Sequence, residues 1–444
     1  MRKNILKILI FFLSILLAFL SSARFARAAF IAWNSFSGEL LANFPFYFTL
    51  KSINPALYNS ISSYPDLPWF NGGWFYGPIH HIWLFPFILI SGSIQVFFRS
   101  LLIFYCASII FIARLFYKQI LSGIVSKVYP LLFTAIFFGA FALMDNLTQR
   151  NVELFELLLI IAAFIALSKK REYLGGICLC LAATAKLLPF IFLPYLIVKK
   201  RKKAVIAFLG TFLVIIFLGQ LFLRWQKYLV FDFSSMAHQG IIPEASSLFG
   251  QTYLSPIRHT NSSLCGFILS FFAHIDMSKQ IPQVTYLTHN FFLPNVIFIF
   301  IALSIFLVSF FFFYKTAQKG NLLYEFSLVC LVMLLVSTHV NPHYYVFTIL
   351  AAVSILYFLF ITGENVNFKR RQRLFTIFIY ICALLLSGFL IPFTLYGKMF
   401  HLKNVVFHYF TTYNILALGT LVLWFILIRL YVYDYVQKAA IAKN

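Results

Sequence analysis

Negative charge is scarce in this chain. Asp and Glu together number 12 in 444 residues, and only 11% of positions carry any charge. Soluble domains carry roughly 25% charged residues, so a water-soluble globule is excluded for want of polar surface. No G-x-x-x-x-G-K-[ST], H-E-x-x-H, C-x-x-C or G-x-S-x-G is present. That removes the P-loop nucleotidase, zinc protease, dithiol redox and serine hydrolase readings. Asp-x-Asp is missing too, and with it the carboxylates that a Mg²⁺-chelated nucleotide sugar wants beside its phosphates. Cysteine is thin and scattered. Five of the six (Cys106, Cys178, Cys180, Cys330 and Cys382) fall in apolar runs, where they serve as small hydrophobes and imply no disulfide framework.

What the chain has in abundance is apolar side chains: 62% of its residues, 58 of them Phe. A span needs about 20 apolar residues to cross the hydrocarbon of a bilayer. Such runs stand near 5–22, 80–98, 100–117, 128–144, 152–168, 173–198, 204–222, 291–313, 322–337, 344–362, 373–392 and 412–430. The expectation is an all-α integral membrane protein, one polytopic domain over 1–444 with about twelve transmembrane helices. Two long extracytoplasmic loops are expected, over 23–79 and 223–290. Met1 to Leu20 resembles a signal peptide; followed by so many further spans, it reads as an uncleaved first helix.

Orientation comes from the cations, 35 Lys and Arg giving a formal net charge of +23. Lys199-Lys-Arg-Lys-Lys203, Lys369-Arg-Arg371, Lys438 and Lys443 fall on one side together with Arg2, Lys3 and Lys7. Cytoplasmic loops collect such charge, so both termini are expected in the cytoplasm, in a plasma membrane of the bacterial inner-membrane type. Nucleic acid is not an expected partner, because the basic clusters are short and lie between apolar spans. Lys169-Lys-Arg171 does not fit, since simple crossings put it outside. A hairpin bent at Lys186–Pro189 would bring it to the cytoplasmic side, with a second non-spanning segment then needed to keep the parity. Charges within spans are few: Arg114, Glu153, Glu156, Lys186 and Glu325. Each is costly in lipid unless paired or facing water, which makes each a functional candidate. Glu153 and Glu156, three apart, share one helix face.

Polar and aromatic residues gather in the first long loop: Trp33, Asn34, Glu39, Asp66, Trp69, Asn71 and Trp74 among them. Aromatic faces with amides and a carboxylate suit a sugar, whose C–H faces stack while its hydroxyls need hydrogen-bond partners; they equally suit an interfacial aromatic belt. Five local patterns follow one another along the chain. Asn54-Pro-Ala-Leu-Tyr58 precedes Phe75-Tyr76-Gly77-Pro78, and Gln149-Arg150-Asn151 opens an apolar helix. Gly175-Gly176 through Ala182-Ala183 leads to Lys186, Pro189 and a basic cluster. Asn261-Ser262-Ser263-Leu264-Cys265-Gly266 and then Ser337-Thr-His339-Val-Asn341-Pro342-His343 complete the series.

In this order the patterns resemble those of glycosyltransferase family eighty-seven of the GT-C superfamily, the polyprenyl-phosphate-mannose-dependent mannosyltransferases. The resemblance implies a GT-C-like bundle that moves a hexose, most naturally mannose, from a polyprenyl-phosphate donor to a hydroxyl of a glycolipid or glycan acceptor. Transfer would be inverting, extracytoplasmic and without a cofactor or metal. The matched patterns carry Tyr76, Gln149, Asn151, Lys186, Asn261, Ser263 and His339 over as substrate-binding residues. Where the family has a glycine before its Gln, Thr148 stands here, and the family's Trp-Asp before its histidine is Asn341-Pro342. The Asp that the family places at the outer end of its first helix has no Asp counterpart. Glu39 is the nearest carboxylate by spacing, and Asp66 is the only Asp in the loop.

A transfer of this kind needs a base for the acceptor proton, cations or dipoles for the leaving phosphate, and exclusion of water. His343 and Glu39 are expected to act together as base, with Asp66 in reserve; Arg258 or Lys186 would meet the phosphate. His339 and His343 have the spacing of a helical metal pair, but Asn341-Pro342 between them favours a turn. The alternative from another class is a transporter or flippase for lipid-linked sugars. The inverted repeats that many transporters show are not visible in this sequence.

Overall fold

The computed structural model describes residues 2–34, 54–56, 59, 84, 86–121, 128–149, 151–186, 188–223, 262–276, 283–287, 292–316, 320–337, 340, 342–359, 370–387 and 415–441. Apart from one hairpin, the regular structure among them is helical. Four helices are long and apolar enough to cross a membrane: Ile8–Asn34, Ile94–Ile120, Phe292–Thr316 and Ile415–Val436. A fifth candidate is the bent pair Val128–Gly139 and Phe141–Thr148, angled at 46°. The chain is an all-α integral membrane protein.

The described residues group into two compact units. The first holds α1 (Arg2–Asn34), α2 (Ile94–Leu121), α3 (Val128–Gly139), α4 (Phe141–Gln149), α5 (Glu153–Ser168), α6 (Glu172–Ala185) and α8 (Lys202–Leu223). Here α1 packs along α3 and touches α2, α2 packs on α5, and α6 lies against both α5 and α8. Helix α1 runs well beyond the expected end at residue 22. Ser22 to Ala29 contains neither Gly nor Pro, so nothing stops the helix there, and Ala28 and Ala32 are fully buried along it. The expected break between spans near 99 falls earlier, at Ser91-Gly92-Ser93, where the Ser93 hydroxyl accepts the Val96 N–H at 3.3 Å as a helix start.

The expected span 173–198 is interrupted. Helix α6 ends at Ala185, Lys186 is extended (φ −151°, ψ 150°), a 3-10 turn covers Leu188–Ile191, and α7 follows over Phe192–Val198. The chain then returns to where α6 began. Glu172 and Arg201 form an ion pair at 3.7 Å, and Gly176 lies so close to α8 that a Cβ would sit 2.2 Å from the Ala204 carbonyl oxygen. The segment is therefore a hairpin with its tip at Lys186–Pro189. At 1.5 Å per residue, the 14 residues of α6 reach about 21 Å, short of the roughly 30 Å of a bilayer's hydrocarbon. The basic runs that flank the hairpin in sequence come together at its open end.

Both of these basic runs sit in the same local geometry. After α5, the Arg171 N–H donates to the Ala166 carbonyl at 2.9 Å and the Lys170 N–H to Leu167 at 3.1 Å. This is a Schellman closure whose left-handed residue is Lys170, φ 59°. After α7, Lys200 is likewise left-handed, φ 54°, its N–H donating to Ile197 at 2.9 Å.

The second unit contains α9 (Leu264–Ser270), the antiparallel strands β1 (Ala273–Asp276) and β2 (Gln283–Tyr286), then α10 (Phe292–Thr316), α11 (Leu322–Leu335), a 3-10 segment Pro342–Phe347, α12 (Thr348–Tyr357), α13 (Arg370–Leu386) and α14 (Ile415–Ile441). Helix α11 is its centre, packed on α10, α12 and α14 and buried at every position from Leu323 to Leu335. A helix that is apolar all round has to be enclosed in this way. At its first turn Glu325 accepts hydrogen bonds from Lys199 Nζ (2.7 Å), Tyr195 Oη (2.7 Å) and Tyr431 Oη (2.6 Å). Lys199 was read as a surface anchor with its neighbours, yet it is buried in this cluster and also reaches Thr316 at 3.3 Å. Gly320 makes room for it, since a Cβ there would meet Glu325 Oε1 at 1.8 Å.

Candidate active site

In the first unit, candidate residues converge at the start of α5. The chain leaves α4, whose last residue is Gln149, and the Asn151 N–H donates to the Asn146 carbonyl at 3.1 Å to make the corner. Tyr105 of α2 donates its hydroxyl to the Asn151 carbonyl at 3.2 Å. Glu153 then opens α5, where a carboxylate is favoured by the helix dipole. The hairpin tip brings Lys186 to it, Nζ to Oε1 at 2.6 Å, with side-chain exposures of 8% and 0%. A lone ammonium or carboxylate would be held here only at high cost, and the pair neutralises both.

One turn further along α5, Glu156 is fully buried and within electrostatic reach of Glu153, Lys186 and Tyr105. Neither of its carboxyl oxygens has a hydrogen-bond partner among the described residues, and neither does the side-chain amide of Asn151. Each unpaired buried polar group costs about 1–3 kcal/mol. Helix α5 has 16 residues, so this cluster lies about 24 Å from Lys169-Lys-Arg171 at its other end.

In the second unit, Ser263 caps α9 by accepting the Gly266 N–H at 3.0 Å, which explains the Ser-x-x-Gly spacing of its motif. The residue before it ties this motif to the turn around His343. The Ser262 N–H donates to the Val340 carbonyl at 2.6 Å, and Tyr345 donates its hydroxyl to the Ser262 carbonyl. Two patterns some 80 residues apart in sequence are thereby joined. His343 lies in the 3-10 segment begun by Pro342, buried to 3% exposure, with its ring edge-on to Tyr344 at 4.8 Å. Asn341, and with it the turn expected between His339 and His343, lies outside the described residues. Helix α11 separates this end of the unit from the Lys199–Glu325 cluster by its 14 residues, about 21 Å.

Asn151 and Lys186 thus belong to one cluster, and Ser263 and His343 to another. Glu39, Asp66, Tyr76, Arg258, Asn261 and His339 lie outside the described residues, and for Gln149 only the backbone is described. Among the described residues no three His, Cys, Asp or Glu side chains gather as metal ligands. The sequence flagged Glu153, Glu156 and Glu325 as costly charges without showing what they pair with. The Lys186 partner, 33 positions away, becomes visible only once the hairpin is formed.

Long apolar helices that bury paired charges near their ends describe a polytopic membrane protein with a polar interior. The sequence model of glycosyltransferase family 87 matches residues 74–338, more than half of the chain, and the protein belongs to that family: it is a membrane glycosyltransferase. No curated protein matches it. The matched interval takes in Tyr76, Gln149, Asn151, Lys186, Arg258, Asn261 and Ser263; Glu39, Asp66, His339 and His343 stand outside it.

Proposed function

We propose that this protein transfers a hexose, most naturally mannose, from a polyprenyl-phosphate donor to a hydroxyl of a glycolipid or glycan acceptor, with inversion, on the extracytoplasmic side of a plasma membrane. The supporting observation is the hairpin with its tip at Lys186. It gathers the basic runs at one end of α5 and α6 and leaves Asn151, Glu153 and Lys186 at the other. Basic runs favour the cytoplasmic face, so the opposite ends of these helices belong toward the outside. A short hairpin that enters and returns puts Lys169-Lys-Arg171 on the same side as Lys199–Lys203, and one further non-spanning segment between residues 80 and 168 then makes that side cytoplasmic. On this reading the chain is one polytopic domain of about twelve membrane segments, some of them re-entrant, with both termini cytoplasmic.

In this proposal His343 takes the acceptor proton with Glu39 orienting it, and Asp66 stands in reserve. Arg258, able to fork to two phosphate oxygens, or Lys186, a point charge, stabilises the leaving phosphate. Tyr76, Gln149, Asn151, Asn261, Ser263 and His339 contact substrate. A monophosphate donor calls for no metal. Incubating the purified protein with radiolabelled polyprenyl-phosphate mannose and a membrane glycolipid extract tests the reading. Label appearing in a glycolipid or glycan supports it; donor flipped across proteoliposomes without any transfer would replace it with the transporter alternative.

A further inference from the structure

Among the described residues, the buried cluster at the head of α5 contains more acid than base: Glu153 and Glu156 with Lys186, which is already engaged at 2.6 Å. An incoming phosphate would add further negative charge beside two carboxyl groups, where the described cation, Lys186, is already paired. A neutral polyol has the opposite fit. Its hydroxyls donate to a carboxyl oxygen and both donate to and accept from an amide. Two side chains of this cluster have no hydrogen bond on any polar atom among the described residues, and they are of these two types: Glu156, 0% exposed, and Asn151, 1% exposed. Tyr105, by holding the Asn151 carbonyl, fixes the backbone from which that amide projects.

We infer that Glu156 is a specificity-determining residue that accepts hydrogen bonds from hydroxyls of the transferred hexose, with Asn151 beside it and the Lys186–Glu153 pair setting the local charge. The inference rests on the glycosyl-transfer reading above. It goes beyond it by giving a role to a residue outside the patterns that carry the family resemblance, and by assigning Lys186 to the sugar end of the donor. A site built to hydrogen-bond a hydroxyl rejects the analogue that lacks it, because its own buried groups are then left unpaired.

The test uses the full-length protein in nanodiscs and a short-chain polyprenyl-phosphate mannose, with its 2-, 3-, 4- and 6-deoxy forms as probes. Dissociation constants are measured for wild type, Glu156→Gln and Glu156→Leu, each checked for folding by thermal unfolding. Wild type should bind at least one deoxy form 10-fold or more weakly than the parent, and Glu156→Leu should lose that discrimination while Glu156→Gln, which keeps one acceptor oxygen, retains part of it. Equal discrimination in wild type and Glu156→Leu, or no deoxy penalty in wild type, overturns the inference alone. Should Glu156→Leu not fold, the comparison with Glu156→Gln decides: an unchanged profile overturns it. Wild type that binds none of these probes overturns the proposed donor, and this assignment with it.

Discussion

Lys186 and Glu153 meet at 2.6 Å although 33 positions separate them, and scarcely any solvent reaches either. The contact fastens the tip of a hairpin to the first turn of a neighbouring helix. Removing one member of a buried pair leaves the other charge uncompensated, at a cost of about 3–5 kcal/mol. Lys186→Met and Glu153→Gln should each lower stability by that order, and the double variant should lose much less than the sum. Thermal or denaturant unfolding of the four proteins in one detergent gives the cycle; strictly additive losses would show that the pair contributes no coupling.

The hairpin also constrains topology. Lys169→Cys and Lys203→Cys should label from the same side of the membrane, and Ser52→Cys and Ser246→Cys from the other. Among the six native cysteines none is exposed, which keeps the background low. Labelling of residues 169 and 203 from opposite sides would mean that the limbs of the hairpin do not share a face.

Glu39→Gln and His343→Ala should each reduce kcat by about 10²-fold or more, the usual scale of general-base catalysis, with thermal stability retained. Asp66→Asn should be much milder. The reverse pattern, with Asp66→Asn inactive and Glu39→Gln silent, would transfer the carboxylate role to Asp66.

Activity with a monophosphate lipid donor should survive EDTA. The relevant measurement is turnover before and after chelation, with Mg²⁺ or Mn²⁺ added back. Complete loss that is restored by either ion would point to a pyrophosphate or nucleotide donor.

Much of the fold is legible in the sequence because the bilayer imposes a length rule. Apolar runs near 152–168, 204–222 and 291–313 correspond to α5, α8 and α10 within a few residues. Pro189 beside a charged Lys186 announces the break in 173–198. The exact partners are another matter. Which carboxylate meets Lys186, or that Lys199 turns inward to Glu325 while Lys200 faces out, depends on how helices distant in sequence are packed, and periodicity has no information on that. The joining of Ser262 to Val340 and Tyr345 is of the same kind. Three of the four groups in it are backbone ones, the Ser262 N–H and carbonyl and the Val340 carbonyl, which no motif records.

The two left-handed lysines have a consequence for the protein's dependence on lipid. An L-residue with a side chain pays about 1–2 kcal/mol to adopt that conformation, and glycine would adopt it without strain. Lys170 and Lys200 are both exposed, and a lysine near an anionic bilayer surface recovers about 1 kcal/mol from the headgroups. With the orientation proposed above, the two helix ends would be strained in a neutral detergent and close to balanced in an anionic membrane. A Lys170→Gly/Lys200→Gly protein should unfold at a higher temperature than wild type in neutral micelles, an advantage that shrinks or disappears in phosphatidylglycerol nanodiscs. Lipid composition is then part of what holds the open end of the hairpin together.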